Sequence, residues 1–537
     1  MGRIDFLTWN KWQGAPALET ADAPGKRTRG LLRYLVFALA LASPACALAL
    51  PNEGQISAGS GNISQSATTL TVTQISPNLA INWQSFNIGQ NETVNFNQPG
   101  SSAIALNRVL GQDPSHILGN LNANGQVFVL NPNGILFGPT AQVNVGGLVA
   151  STLSLSDADF LAGNHTFSNS GSTGSVINQG TLTATNNGYI ALLAPEARNE
   201  GVIVATLGTA LLASGDKITL TLNNGSLLSY TIDHGTLNGL AENKYLIQAD
   251  GGQVILSARA ADALTSSVVN NSGIIEAHTI ENQDGVITLL GDMQTGQVTV
   301  SGTLDASAPT GGDGGFIETS AAHVAVASGS IITTQAPQGT TGNWLIDPAD
   351  YTIAAAGGDI TGADLAFNLG STSVTILSSD GTVNPGGNGD IFVNDAVNWN
   401  NGNSLTLDAI RNINVNSTIN NGGTGAINLS AAAAVAVNAN LGSGGAIAIT
   451  APAGLTQDIA STITTTGLTV NVGAASIADG IIDGAGGLTK TGAGTLTLSN
   501  VNTYAGATTI NAGTLSLSGD GNLGAVPGSP TPGNLIL

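Results

Sequence analysis

The sequence predicts an all-β protein: a right-handed parallel β-helix with an N-terminal cap and a projecting hairpin, preceded by a signal peptide. Three observations predict this fold. Only 9% of the residues are charged and 4% are aromatic, whereas glycine accounts for 72 of 537. Short segments that begin with Asn-x-Gly recur along the chain, and glycine-led strands of alternating polarity follow them. Small and β-branched residues in repeated coils bury one another without the large side chains of a globular core.

The first 49 residues predict a secretory signal peptide. They contain, in order, a basic cluster, an apolar run and a group of small residues: 26–33, 31–41 and 45–49. This is the order of a signal sequence, and cleavage after Ala47 or Ala49 fits the small residues equally well. A membrane anchor is the alternative. It is less favoured because the apolar run is short and Pro44 interrupts it.

The chain is strongly acidic. It has 13 basic and 34 acidic residues, and without residues 1–49 the balance becomes 7 against 31. This charge argues against binding to nucleic acid or to an anionic membrane. Cys46 is the only cysteine and lies in the signal region, where a lipoprotein site is a weaker alternative. Thiol catalysis and cysteine-ligated metals are therefore excluded for the mature chain.

The repeats predict stacked coils. The segment 178–184 recurs at 199–205, at 271–277 and more loosely at 300–306, and the first two copies are 21 residues apart. This is the length of one solenoid coil. Each copy but the last begins with asparagine, and we expect asparagines at equivalent corners to stack into an amide ladder.

Glycine-led strands supply the rest of each coil. Each has a glycine at a corner and then a short alternating segment: 188–193, 208–212, 252–256, 285–290, 315–319, 425–429 and 445–449. The insertion 217–232 interrupts this period and predicts a hairpin that turns at Asn223-Asn224-Gly225. Such a hairpin serves either to bind a ligand or to shield the coil edge. Outside the signal, no segment has the periodicity of a long amphipathic helix.

A turn motif lies between two short alternating strands. Val127 and Val129 precede the run Asn131-Pro132-Asn133-Gly134, and Ile135 and Phe137 follow it. Proline fixes φ, and asparagine and glycine tolerate positive φ, so these residues predict a hairpin or a β-helix corner. With the segments 107–109 and 147–152, this run resembles the secretion domain of filamentous-haemagglutinin-type exoproteins.

The resemblance implies an export route. Asn131, Pro132, Asn133, Gly134 and Ile135 match the NPNGI motif of that family in full. The family is exported by two-partner secretion, so the resemblance implies that this motif is read by an outer-membrane transporter with POTRA domains and a β-barrel. The second short motif of the family, NPNL, is not intact, and the transporter subtype stays open.

Two later segments also resemble exported proteins. Residues 342–348 resemble a segment of haemagglutinin-like and haem-utilisation exoproteins, and the region from about 485 resembles the passenger-associated repeat of autotransporters. The chain stops inside what resembles an unfinished repeat, without the alternating strands of a C-terminal membrane barrel. We therefore expect a separate transporter, a truncated reading of a longer gene, or both.

Candidate catalytic residues are few. The histidines lack metal-site spacing: His116, His165, His234, His278 and His323. Asp305, Asp313 and Glu318 merit attention because β-helical polysaccharide enzymes place carboxylates on successive coils. Exposed carboxylates at corners explain these residues more simply. We expect no enzyme activity, no metal and no cofactor.

The predicted organisation has four parts. These are a signal peptide at 1–49, a secretion domain with the first coils at 50–310, β-helical repeats at 311–484 and a passenger-associated repeat at 485–537. The predicted function is that of a secreted or surface-exposed adhesin of haemagglutinin type, with no nucleic-acid partner and no transmembrane segment in the mature chain. The alternatives are a β-helical polysaccharide-active enzyme and the stalk of a larger contact-dependent toxin.

Overall fold

The computed structural model describes residues 50–262, 264–280, 282–378, 387–526 and 533–537. The predicted signal peptide, 1–49, lies outside the described residues. The rest is built from short strands that stack in parallel from coil to coil, so the predicted β-helix is confirmed. The N-terminal cap is also confirmed, because Gln55–Ala58 and Gly61–Gln65 pair antiparallel with the strands behind them.

One sheet of 28 strands follows the whole solenoid. Its strands are Gln55–Ala58, Gly61–Gln65, Thr69–Gln74, Asn78–Trp83, Thr93–Asn97, Ile104–Val109, Asn120–Ala123, Gln126–Leu130, Gln142–Ser151, Thr181–Ala194, Val202–Val204, Thr209–Ser214, Leu246–Gln248, Gln253–Ala258, Ile274–Glu276, Val286–Leu290, Thr303–Asp305, Phe316–Ser320, Ile331–Thr333, Asn343–Asp347, Ser373–Ser378, Leu405–Ala409, Ile427–Ala431, Ile447–Ala451, Leu468–Val472, Leu488–Thr491, Thr508–Ile510 and Leu535–Ile536.

Smaller parallel sheets close the coils. The first has eight strands: Ser115–Ile117, Ile135–Phe137, Ser175–Asn178, Glu196–Asn199, Gly239–Asn243, Ser267–Asn271, Gln297–Val300 and His323–Val326. The second also has eight: Tyr351–Ile353, Ile391–Val393, Ile413–Val415, Ala434–Val437, Gly454–Gln457, Ser476–Ala478, Thr495–Leu498 and Thr514–Leu517. The third has five: Val397–Trp399, Ile419–Asn421, Leu441–Ser443, Thr462–Thr464 and Ile481–Asp483.

The core is a set of inward columns in which aliphatic residues of successive coils lie in register. One such column, with the aromatic Trp344 among its aliphatic members, includes Val254, Ile287, Ile317, Trp344, Val374, Leu405, Ile427, Ile447, Leu468 and Leu488. All of these side chains are buried. Each contributes about 1.5–3 kcal/mol of burial free energy, so repetition replaces the single large core of a globular domain.

The predicted amide ladder is present and is fully buried. Asn178 donates from Nδ2 to Oδ1 of Asn199, Asn199 donates to Asn243, and Asn243 donates to Asn271, each at 2.8 Å. The strands that carry Asn178 and Asn199 pair in register, which confirms the 21-residue coil. Val300 occupies the next position, so the ladder ends at Asn271.

A glycine column marks one corner of the solenoid. A Cβ atom on Gly208 would lie 2.0 Å from the carbonyl oxygen of Gly188, and one on Gly252 would lie 2.1 Å from that of Gly208. These distances are far below van der Waals contact, so the coil stacking requires glycine at this corner.

The predicted hairpin is confirmed, and it lies over the outer face of the coils. Lys217–Asn223 pairs antiparallel with Ser226–His234, and His165–Ser168 pairs with the first of these strands. Asn224 and Gly225 have φ of 49° and 94°, the conformation of a two-residue type I′ turn. Ile218, Leu220 and Leu227 of the hairpin are buried in a second apolar cluster that includes Phe128, Leu193 and Leu211 of the coils.

Two short α-helices were not expected. Asp157–Ala162 begins at the N-cap Ser156, which accepts from the amide of Asp159, and Gly362–Leu369 begins at Thr361. Asp520–Leu523 is a 3₁₀ turn. With six and eight residues the α-helices are too short to show a clear helical periodicity. Among the described residues, no helix is long and apolar enough to cross a membrane.

Candidate functional site

The motif Asn131–Ile135 forms a corner of the β-helix, not a hairpin. The strand before it, Gln126–Leu130, pairs with neighbours in the long sheet. The strand after it, Ile135–Phe137, pairs instead with Ser115–Ile117 and Ser175–Asn178 in the first of the smaller sheets. The two strands therefore belong to different faces of the solenoid, and the motif carries the chain from one face to the next.

The amide of Asn131 holds this corner together. Its Nδ2 donates to the carbonyl of Asp113 at 3.0 Å and to Oγ of Ser115 at 2.9 Å. Its Oδ1 accepts from the backbone N–H of Asn133 at 3.0 Å, and its own N–H donates to the carbonyl of Ser151 at 2.9 Å. Asn131 is fully buried. A buried amide with all these partners is costly to replace, because each lost partner leaves a polar group unsatisfied.

The other residues of the motif are also used within the molecule. Asn133 donates from Nδ2 to the carbonyl of Gly111 at 2.9 Å, and the carbonyl of Pro132 accepts from Oγ of Ser172 at 2.5 Å. Gly134 has φ of 116°, which favours glycine. Ile135 is buried in the core. Of the five residues, only Asn133 is exposed, so the folded corner presents little of the motif to a partner.

An ion pair supports the strands beside the corner. Arg108 donates to Oδ1 of Asp157 at 2.8 Å, to the carbonyl of Leu155 at 2.7 Å and to Oδ1 of Asn82 at 2.9 Å. Asn107, the residue before it, is buried and accepts from the indole of Trp83 at 3.0 Å. The sequence placed both residues in the resembling segment but could not assign these contacts, because their partners lie one or two coils away.

The candidate carboxylates have structural partners. Asp305 accepts from Nε2 of His278 at 3.3 Å, and Asp313 accepts from the backbone N–H of Thr340 at 2.6 Å. Glu318 accepts from Oγ of Ser320 at 2.9 Å. None of the hydrogen bonds described for the three joins one of them to another, so a paired acid and base is not supported.

His278 lies between two carboxylates on neighbouring coils, an arrangement that the sequence did not suggest. Its Nδ1 lies 2.9 Å from Oδ1 of Asp250, and its Nε2 lies 3.3 Å from Oδ2 of Asp305. Hydrogen bonds to Asp250 and Asp305 raise the pKa of His278 from 6.5 to about 10. Burial opposes ionisation of the two carboxyls, but their hydrogen bonds with His278 lower the pKa of both.

The described residues offer little to a metal ion. They contain no group of three or more His, Cys, Asp or Glu side chains that could hold one. Instead, the imidazole of His278 contacts the carboxylates of Asp250 and Asp305, so these three side chains link three successive coils. Its geometry is that of a structural clamp.

Two family models match the sequence. The model described as TPS secretion domain matches residues 47–306, and the model described as passenger-associated-transport-repeat matches residues 488–517. The first range contains the corner motif and the whole asparagine ladder. The second range contains the strands Leu488–Thr491, Thr495–Leu498, Thr508–Ile510 and Thr514–Leu517.

Curated relatives and a solved structure are also similar to the chain. Two heme/hemopexin-binding proteins of Haemophilus influenzae are 31% and 29% identical over 258 and 247 residues. These matches cover 47% and 42% of this chain and 28% and 26% of those proteins, so the chain matches about a quarter of the length of these relatives. The HMW1 secretion domain of Haemophilus influenzae is 20% identical, with 87% of this chain and 99% of that one covered and a TM-score of 0.44.

Proposed function

Because the chain belongs to the two-partner-secretion exoproteins, we propose that a separate outer-membrane transporter exports it and that it acts as an adhesin at the cell surface or beyond it. The match of the TPS secretion domain to residues 47–306 is the observation that carries this proposal. The transporter would have POTRA domains in the periplasm and a β-barrel in the outer membrane. Residues 50–310 would form the part that it engages.

The burial of the corner motif suggests when recognition happens. The partners of Asn131 and Pro132 lie between Asp113 and Ser172, so the corner is complete only after this whole stretch has folded. Before folding, the amides of Asn131 and Asn133 are free to bind. We propose that the transporter binds the motif in the unfolded chain and that folding outside the cell then buries it, which opposes return.

The adhesin role rests on the family and on the solenoid itself. A long stack of coils displays an extended surface, and such surfaces are where repeat proteins bind partners. The relatives are named for binding heme and hemopexin, but the similarity covers about a quarter of their length. We therefore propose no transfer of those two ligands to this chain.

Export can be tested by expressing the full chain with and without a transporter of the POTRA and β-barrel type. We expect the protein in the medium or on the cell surface only when the transporter is present. Equal export without it would contradict the proposal. Asn131→Ala and Asn133→Ala should each reduce export at least several-fold, whereas Asn186→Ala, on an exposed asparagine outside the motif, should not.

A separate measurement distinguishes recognition from stability. The purified Asn131→Ala protein should also be less resistant to protease, because it loses buried hydrogen bonds, whereas Asn133→Ala, an exposed residue, should retain more of its resistance. Unchanged secretion of both variants would contradict the role of the motif. It would leave the dependence on a transporter intact.

A further inference from the structure

A groove lies where the hairpin meets the coils. Its volume is about 790 Å³. One wall is the outer hairpin strand at residues 230–233, and the other consists of the strand ends at 257–259 and the turn at 290–294. The size lies within the range of pockets that enclose small molecules, and the position is the one at which the sequence predicted either binding or shielding.

The groove carries hydrogen-bond acceptors and donors side by side. Its lining residues include the acidic Asp233 and Asp292, the basic Arg259 and the amide-bearing Gln294. Tyr230 adds an aromatic ring whose burial raises its pKa, and hydrogen bonding to Ser257 opposes this rise. A ligand that matches such a surface needs groups that both donate and accept, together with apolar C–H faces that pack on an aromatic ring.

Internal contacts fix the three charged side chains of the groove in place. Asp233 accepts from Oγ1 of Thr219 at 2.7 Å, and Arg259 donates from Nη1 to the carbonyl of Ile232 at 2.8 Å. Asp292 accepts from the backbone N–H groups of Gln294 and Thr295 at 2.8 and 3.2 Å. A groove whose polar groups are held in this way pays little entropy on binding.

The contacts and the charge of the groove disfavour two kinds of ligand, an extended peptide and an anionic group. The strand Ser226–His234 has one neighbour in its sheet, so its free edge could in principle pair with an extended peptide. Arg259 already occupies the carbonyl of Ile232 on that edge, which blocks such pairing. The lining has one more negative than positive charge, which disfavours phosphate, sulfate and acidic sugars.

We propose that this groove binds a short neutral oligosaccharide. Sugar hydroxyls would donate to Asp233 and Asp292 and accept from Arg259 and Gln294, and a sugar face would pack against Tyr230 and Met293. This site deepens the proposed adhesin function and rests on it for access to extracellular glycans. It involves neither the corner motif nor the transporter.

The test uses the purified full-length chain and a panel of immobilised neutral tri- and tetrasaccharides, with sialylated trisaccharides and unstructured peptides alongside. We expect selective binding to members of the neutral set. The double variant Met293→Ala with Gln294→Ala, and the single variant Arg259→Gln, should each lower the affinity by about tenfold or more, the size of one lost hydrogen bond to a charged or amide group. Gln253→Ala, on an exposed glutamine outside the groove, should change it by less than about twofold.

Circular dichroism confirms that each variant is folded, and export is measured separately. Absence of binding to any neutral saccharide, selective binding to sialylated sugars or peptides, or equal binding by the groove variants would each overturn the proposal. Normal export with lost saccharide binding would confine the failure to the groove. Failed export with intact binding by the purified chain would confine it to the proposed function.

Discussion

The clamp formed by Asp250, His278 and Asp305 predicts a local loss of stability when the imidazole is removed. The rise in the pKa of His278 from 6.5 to about 10 corresponds to about 5 kcal/mol of preference for the protonated folded state. The His278 side chain is 23% exposed, and solvent screening reduces the usable value to about 2–3 kcal/mol. His278→Gln removes this charge and leaves two carboxylates facing each other.

The sign of the pH dependence follows from the direction of each shift. Because the folded pKa of His278 is raised, its contribution is complete below pH 6.5 and is lost as pH rises through about 10. The pKa values of Asp250 and Asp305 are lowered, so their contribution is lost as pH falls through the folded values. Burial raises the pKa of the neighbouring Glu276, which opposes this trend. The clamp is therefore strongest at mildly acidic pH, above the ordinary pKa of an aspartate and below pH 6.5.

Two measurements test the clamp. A histidine-selective NMR titration should find the imidazole of His278 still protonated at pH 8, and a transition near 6.5 would refute the reasoning. In hydrogen exchange at pH 7, the amide of Thr279, which donates to Ser307 at 2.9 Å, should exchange about 30 to 150 times faster in His278→Gln, the equivalent of 2–3 kcal/mol. His323→Gln, on an exposed histidine, is the control. A change of less than about threefold in His278→Gln would also contradict the clamp.

Two further predictions concern the buried amides and the hairpin. Asn199→Ala interrupts the ladder and should lower the free energy of unfolding by about 1–3 kcal/mol for each amide left without its partner. Urea unfolding measures this loss, with Asn186→Ala, on an exposed asparagine, as the control. Equal unfolding midpoints for the two variants would contradict the prediction. Gly225→Val places a β-branched residue at φ of 94° and should destabilise the hairpin by at least about 1–2 kcal/mol. Limited proteolysis should then cut at the hairpin before the coils, and unchanged cleavage would argue against strain there.

Much of the fold is predictable because each coil of a β-helix repeats the same short strands and turns, and these leave a recurring pattern in the sequence. The coil length, the buried amide ladder, the hairpin and its Asn-Gly turn all follow from repeats and turn residues that the sequence displays. The sequence of the motif Asn131–Ile135 fits a hairpin and a β-helix corner equally well. Only the pairing of its two strands with different neighbours decides that it is a corner.

The contacts between coils were not predictable from the sequence. Asp250, His278 and Asp305 are separated by 28 and 27 residues, longer than the 21-residue coil, because the loops between strands vary in length. The sequence therefore does not show which residues of successive coils lie next to each other in the stack. The sequence therefore offers Asp305 only as one of three candidate carboxylates, whereas in the structure its partner is an imidazole one coil away. For the same reason, the sequence does not predict the second apolar cluster under the hairpin.

The glycine column has a consequence for how such a protein can change in length. Gly188 and Gly208 are 20 residues apart, whereas Gly208 and Gly252 are 44 apart, yet each pair is one coil apart in the stack. The extra residues leave the solenoid as the hairpin and return without shifting the pitch. Material can thus be added between the strands of a coil, or as whole coils, while the axial spacing stays constant. Insertions between strands therefore add surface features to the solenoid without changing the distance between neighbouring coils.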